Sequence, residues 1–108
     1  MKTDFNSIIR SRIPVLVDFS AEWCGPCKMM KPVLEQLKSI MGDKIRIIKI
    51  DIDRNRDLAV KYNIRSVPSL MLFQDGSVKW NGVGVISANH LAYVINNHCA
   101  VTTDQEVL

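Results

Sequence analysis

Three compact runs rich in β-branched and apolar residues, VLVDFS (15–20), IRIIKID (45–51) and LMLFQ (70–74), alternate with stretches whose apolar residues recur every three or four positions. Strands separated by helices pair in parallel through right-handed crossovers, because a helix-length connection carries the chain back to the same end of the sheet. The third run breaks that pattern. It leads through Asp75-Gly76 into SVKWNGVG, and an Asp-Gly pair between strand-like runs is the strongest local hairpin cue, so antiparallel pairs are expected as well. The expected class is α/β, with a central mixed sheet of four strands flanked by helices.

The helical segments carry their own punctuation. Thr3 or Asp4 is expected to cap a short first helix with Phe5, Ile8, Ile9 and Arg12 in phase, ended by Ile13 before Pro14. From Pro26 onward, Met30, Val33, Leu34, Leu37 and Ile40 mark a long helix that ends near Gly42, with Pro32 expected to kink it. RDLAVKYN (56–63) is a short helix, and Ser87 caps a last one whose Leu91, Val94, Ile95 and His98 share a face. At 108 residues the chain holds one core, expected over residues 1–100, with 101–108 (VTTDQEVL) as a tail.

Charge and hydropathy exclude several classes. The net charge of +3 comes from 14 basic and 11 acidic residues with no long like-charged run, so nucleic-acid binding is not implied. No apolar run approaches the roughly 20 residues of a membrane helix, and MKTDFNSIIRSR lacks the apolar stretch of a signal peptide. The expected compartment is the cytoplasm. Three cysteines are an odd count, and a reducing cytosol disfavours structural bridges, which leaves the close pair in AEWCGPCKMM as a redox or metal pair.

Cys24 precedes Pro26, a residue favoured in the first helical turn, and is therefore placed at a helix N-terminus, where unsatisfied N–H groups and the positive dipole end favour a thiolate. Cys24 is the candidate nucleophile. Cys27 lies three residues on, near enough for a disulfide after little movement, while Gly25 lets the turn close and Pro26 stiffens it. A zinc site needs four ligands, and only Cys99, His90 and His98 remain; on one helix the two histidines stand about 12 Å apart, too far to share the ion. A redox pair is the better reading, with no metal and no cofactor.

WCGPCK, set in VDFSAEWCGPCK and followed by a long helix, SVPSLMLF and the Gly84 turn, resembles the thioredoxin family over nearly the whole chain. The resemblance implies a thioredoxin fold and dithiol–disulfide exchange on protein substrates, with re-reduction by a flavin-containing, NADPH-dependent thioredoxin reductase. It also assigns roles. Asp18, otherwise read as a strand-end carboxylate facing water, matches the family's buried aspartate that deprotonates the resolving Cys27. Lys49, otherwise an edge lysine, would pair with Asp18 and tune its proton affinity. Sequence alone favours a trans bond at Val67-Pro68, whereas the resemblance implies a cis bond lying against the cysteines. Trp23, Gly25, Pro26, Val67, Pro68, Gly84 and Val85 would then make an apolar docking surface around Cys24. Trp80 is assigned to packing, Cys99 to an idle thiol, and His90 and His98 to the helix surface or packing.

Two departures from the family stand out. Ser20 occupies a position where many thioredoxins carry a second tryptophan, so a packing contact near the site is lost or replaced. The chain also begins almost at its first helix, so the family's N-terminal strand is expected to be missing. IRIIKID would then be an edge, protected by the N-terminal segment or open to weak self-association, which leaves monomer and weak dimer both open. Two rivals share these residues: a disulfide oxidase or isomerase, and a binding module in which the cysteines are incidental.

Overall fold

A computed structural model describes residues 4–101. Thr3 and residues 102–108 of the expected tail lie outside the described residues; Val101 packs against the core. The elements run α1 (Phe5–Ile9), β1 (Val15–Ser20), α2 (Gly25–Met41), a 3₁₀ turn (Gly42–Lys44), β2 (Arg46–Asp51), α3 (Arg56–Lys61), β3 (Ser69–Gln74), β4 (Ser77–Val83) and α4 (Ala88–His98). The four strands form one mixed sheet in the order β2-β1-β3-β4.

β1 is the central strand that its uninterrupted apolar run implies. It pairs in parallel with β2 and antiparallel with β3, and all six of its residues are buried. Side chains alternate across it. Leu16 joins Met30, Leu37 and Met41 of α2 and Leu91, Val94 and Ile95 of α4 on one face, while Val15, Val17 and Phe19 join Phe5 and Ile9 of α1 on the other. There Phe5, Tyr62 and Phe73 meet edge-to-face at 5.5–5.9 Å between ring centroids, a favourable geometry for aromatic quadrupoles. The same alternation turns Asp18 toward the α2 side.

The Asp75-Gly76 turn has φ of 53° and 83° at its two central residues, the left-handed pair that suits a two-residue hairpin, and β3 and β4 pair antiparallel across it. Ser87 caps α4 by accepting a hydrogen bond from the His90 backbone N–H at 3.2 Å.

Four local expectations are corrected. The first helix stops at Ile9 and excludes Arg12, because the hairpin turn takes its carbonyls: Gly76 N–H donates to Ile9 O at 2.9 Å and Asp75 N–H to Ser11 O at 3.0 Å. Helix α3 ends at Lys61 rather than Asn63, which adopts a left-handed φ of 56°. On α2, Ile40 faces solvent and Met41 takes its place; at about 100° per residue Met41 falls about 20° from Met30 and Ile40 about 80° away. His98 of α4 is likewise exposed although it lies near the apolar stripe.

Candidate active site

Cys24 is the N-cap residue of α2, with extended backbone (φ −90°, ψ 111°). Its backbone N–H donates to Ala21 O at 3.2 Å, closing the turn that follows β1, and its Sγ accepts the Cys27 backbone N–H at 3.1 Å. The sulfur thus occupies the place an aspartate or serine oxygen fills at an ordinary helix start. A negative charge there is stabilised by that N–H and by the helix dipole. Pro26, in the first turn, costs no hydrogen bond, because its missing N–H would have had no intrahelical partner.

Cys24 and Cys27 are joined as a disulfide, their Cα atoms 5.3 Å apart. Both are nearly buried, in a small cluster with Ala21, Val67 and Ile52. Gly25 and Pro26 are exposed, and a Cβ added at Gly25 would meet no atom within 4 Å, so the surface over the pair stays open.

The Val67-Pro68 bond is cis, as the resemblance implied. Cys24 Sγ lies 3.6 Å from Val67 O, and Gly84 N–H donates to Pro68 O at 2.9 Å, which binds this loop to the end of β4. Gly84 has φ of 91°, a region in which a side chain is strained. Trp23, Val83 and Val85 are exposed beside these segments, Trp23 most of all at 69%.

Sequence reading did not find what holds Trp23. Its Nε1 donates to Asp53 Oδ2 at 2.9 Å, and next to it Arg54 and Glu22 form an ion pair at 3.2 Å. Asp53 lies thirty residues away, just past β2, and only the tertiary fold brings it to the tryptophan.

On the α2 side of β1, Asp18 is 1% exposed, and its Oδ1 has no hydrogen-bond partner among the described residues. Burial pushes its carboxyl up to about 6, while the positive charge of Lys49, its register partner on β2, acts in the opposite direction. Lys49 lines two hollows: one of about 420 Å³ shared with Ser20 and Cys27, and one of about 520 Å³ shared with Asp18 and Leu34. Ser20, at the position where many thioredoxins carry a tryptophan, is buried and lines the first hollow.

The other expected bystanders sit apart from this cluster. Trp80 packs half-buried against the α2–α4 core, and His90 and His98 are exposed on α4. Cys99 is half-buried just after α4; burial pushes its thiol up, with Lys79 opposing.

A family model for thioredoxin matches residues 1–97. The chain belongs to the thioredoxin family. Among curated thioredoxins it is 49% identical over 84 residues to that of Bacillus subtilis (strain 168), covering 78% of this chain and 81% of the relative. It is 46% identical over 85 residues to that of Pseudomonas aeruginosa, covering 79% of each. Among solved structures it superposes on a mutant thioredoxin from Halobacterium salinarum NRC-1 with a TM-score of 0.81 at 35% identity, covering 95% of this chain and 89% of that one. As a thioredoxin-family chain whose two active-site cysteines are joined, it is a dithiol–disulfide oxidoreductase. No helix among the described residues is long and apolar enough to cross a membrane.

Proposed function

We propose that this thioredoxin-family chain is a general reductant of protein disulfides, with Cys24 as nucleophile and Cys27 as resolving thiol. The observation that carries the assignment is the Cys24 sulfur at the α2 N-cap, held by the Cys27 N–H. In the reduced pair, the Cys24 thiolate attacks one sulfur of a substrate disulfide; a mixed disulfide forms and the other substrate sulfur leaves as a thiolate. Cys27 then gives its proton to Asp18 and attacks Cys24 Sγ. The Cys24–Cys27 bond forms, the substrate's second sulfur leaves, and two electrons have passed to substrate.

Asp18 is the proton acceptor because its raised pKa lets it exchange a proton near neutrality. Lys49 tunes it through its charge. Trp23, Gly25, Pro26, Val67, Pro68, Gly84 and Val85 receive an extended substrate segment, with the backbone of Val67 beside Cys24 offered for strand-like pairing. Oxidised protein is returned to the dithiol by a thioredoxin reductase, and the setting is cytoplasmic.

The test is a trap. Cys27→Ser, mixed with a disulfide-containing protein, accumulates a mixed disulfide through Cys24, whereas Cys24→Ser accumulates none. A stable adduct through Cys27 in the Cys24→Ser protein, with none in Cys27→Ser, reverses the assignment. The equilibrium potential separates reductant from oxidase: thioredoxin's own reference value is about −270 mV, against about −120 mV for a strong oxidant.

A further inference from the structure

β2 forms one edge of the sheet. Arg46 and Ile52 N–H groups donate toward β1, to Pro14 O and Ser20 O, so by the period of two Ile48 and Ile50 also face β1, and Ile45, Ile47, Lys49 and Asp51 face outward. The ends of this outward row are occupied. Lys38 Nζ donates to Ile45 O at 2.7 Å, and Asn55 Nδ2 donates to Asp51 O at 2.9 Å. Between them, the N–H and C=O groups of Ile47 and Lys49 point away from the sheet, with no neighbouring strand among the described residues.

Alongside this window lies the hollow of about 520 Å³ between α2 and β2. Leu34 and Ile47 supply its apolar surface, and both are only partly buried. Four cations line it, Lys31, Lys38, Arg46 and Lys49, against Glu35 and the buried Asp18. The charge selects among occupants. A second copy placed edge to edge on β2 would bring Arg46 and Lys49 against the same cations of its partner, a repulsive arrangement that edge lysines commonly impose. An anionic strand meets the opposite: carboxylates for the cationic hollow, apolar side chains for Ile48 and Ile50 on the other face, and backbone groups for the open window.

We propose that the β2 edge and the adjoining hollow are a docking site for an extended, acidic segment of another protein, bound as an added strand and distinct from the substrate surface around Trp23 and Pro68, with Asp18 and Lys49 lining its inner wall. Alternating acidic and apolar residues fit it, because successive side chains of a strand point to opposite faces: the acidic ones turn to the cationic hollow and the apolar ones to the other face of the sheet, beside the partly buried Ile48 and Ile50.

The test uses the whole chain, isotopically labelled, with two blocked seven-residue peptides, one alternating Glu with Val and one alternating Lys with Val. The Glu peptide is expected to bind at least tenfold more tightly than the Lys peptide and to slow amide exchange at Ile47 and Lys49 at least tenfold. In the Lys31→Glu/Arg46→Glu variant, whose substituted residues are both exposed, the preference reverses while α2 and the sheet keep their spectra. Equal affinity for the two peptides, shifts confined to the Trp23 and Pro68 segments, or an unchanged preference in the charge-reversed variant overturns the proposal. So does protection of the Ile47 and Lys49 amides in the free chain: if it depends on concentration the occupant is a second copy, and if not the chain covers its own edge.

Discussion

Asp18 and Lys49 stand opposite each other in the β1–β2 register, the carboxylate sealed from solvent and the ammonium exposed. The charge of the one lowers a pKa that burial of the other raises, and burial wins, leaving Asp18 near 6 instead of 3.8. The balance yields a group that is half-ionised close to neutrality at a cost to stability.

That cost sets the first expected outcome. Between pH about 4 and about 6 the native carboxyl keeps a proton that the unfolded chain has lost, so Asp18 makes stability fall as pH rises through this window. Above it the penalty is complete, about 3 kcal/mol for a shift of roughly two units. Asp18→Asn should therefore unfold at higher denaturant than the parent at pH 8, and at nearly the same denaturant at pH 3.5. The same variant should slow release of substrate from the mixed disulfide. Equal stability at pH 8 would contradict the buried, ionised carboxylate.

Lys49→Met removes the charge that opposes desolvation, so the Asp18 pKa should rise further. In the pH–rate profile of substrate reduction, the limb assigned to Asp18 should move to higher pH. A superimposable profile would assign Lys49 to the edge alone.

Asp53→Ala frees the Trp23 indole N–H. The lost hydrogen bond is exposed and worth about 1 kcal/mol or less to folding, so the melting transition should move little. The cost should appear in substrate docking, as a several-fold rise in KM for a protein disulfide with kcat nearly unchanged. An unchanged KM would detach Trp23 from docking.

Gln74 ties both flanks of the sheet together. Its Nε2 donates to Arg12 O at 2.8 Å and Ala100 O at 2.6 Å, and its Oε1 accepts from Ala100 N–H at 3.0 Å. Gln74→Ala strands these groups at a part-buried site and should cost about 2–4 kcal/mol, read by denaturant unfolding, with the exchange rate of the remaining folded protein unaltered.

What could be read beforehand was local. The Asp75-Gly76 turn, the Ser87 cap and the Cys24 helix start are each decided by residues within four positions of one another, and each stands where the pattern put it. The misplacements arise where distant segments intervene. Gly76 and Asp75 end α1 from more than sixty residues away, and nothing near Arg12 signals it. Asp18 could be flagged by its apolar neighbours, but its partnership with Lys49 depends on the strand register, which no single run contains. The cis bond at Val67-Pro68 ran against the general preference for trans, and only likeness to a family pointed the other way. Asp53 had no signal at all.

The clasp at Gln74 bears on how such a chain can be combined with others. Residues 12 and 100 meet at the end of the sheet where β1 begins, and the disulfide lies past the other end, beyond a strand of six residues or about 17 Å. Ala100 and Val101 therefore stand at the pole opposite the sulfur chemistry. The exchange surface is thereby a free tip, and cargo, tether or further module can be attached behind it without standing in the path of an incoming disulfide.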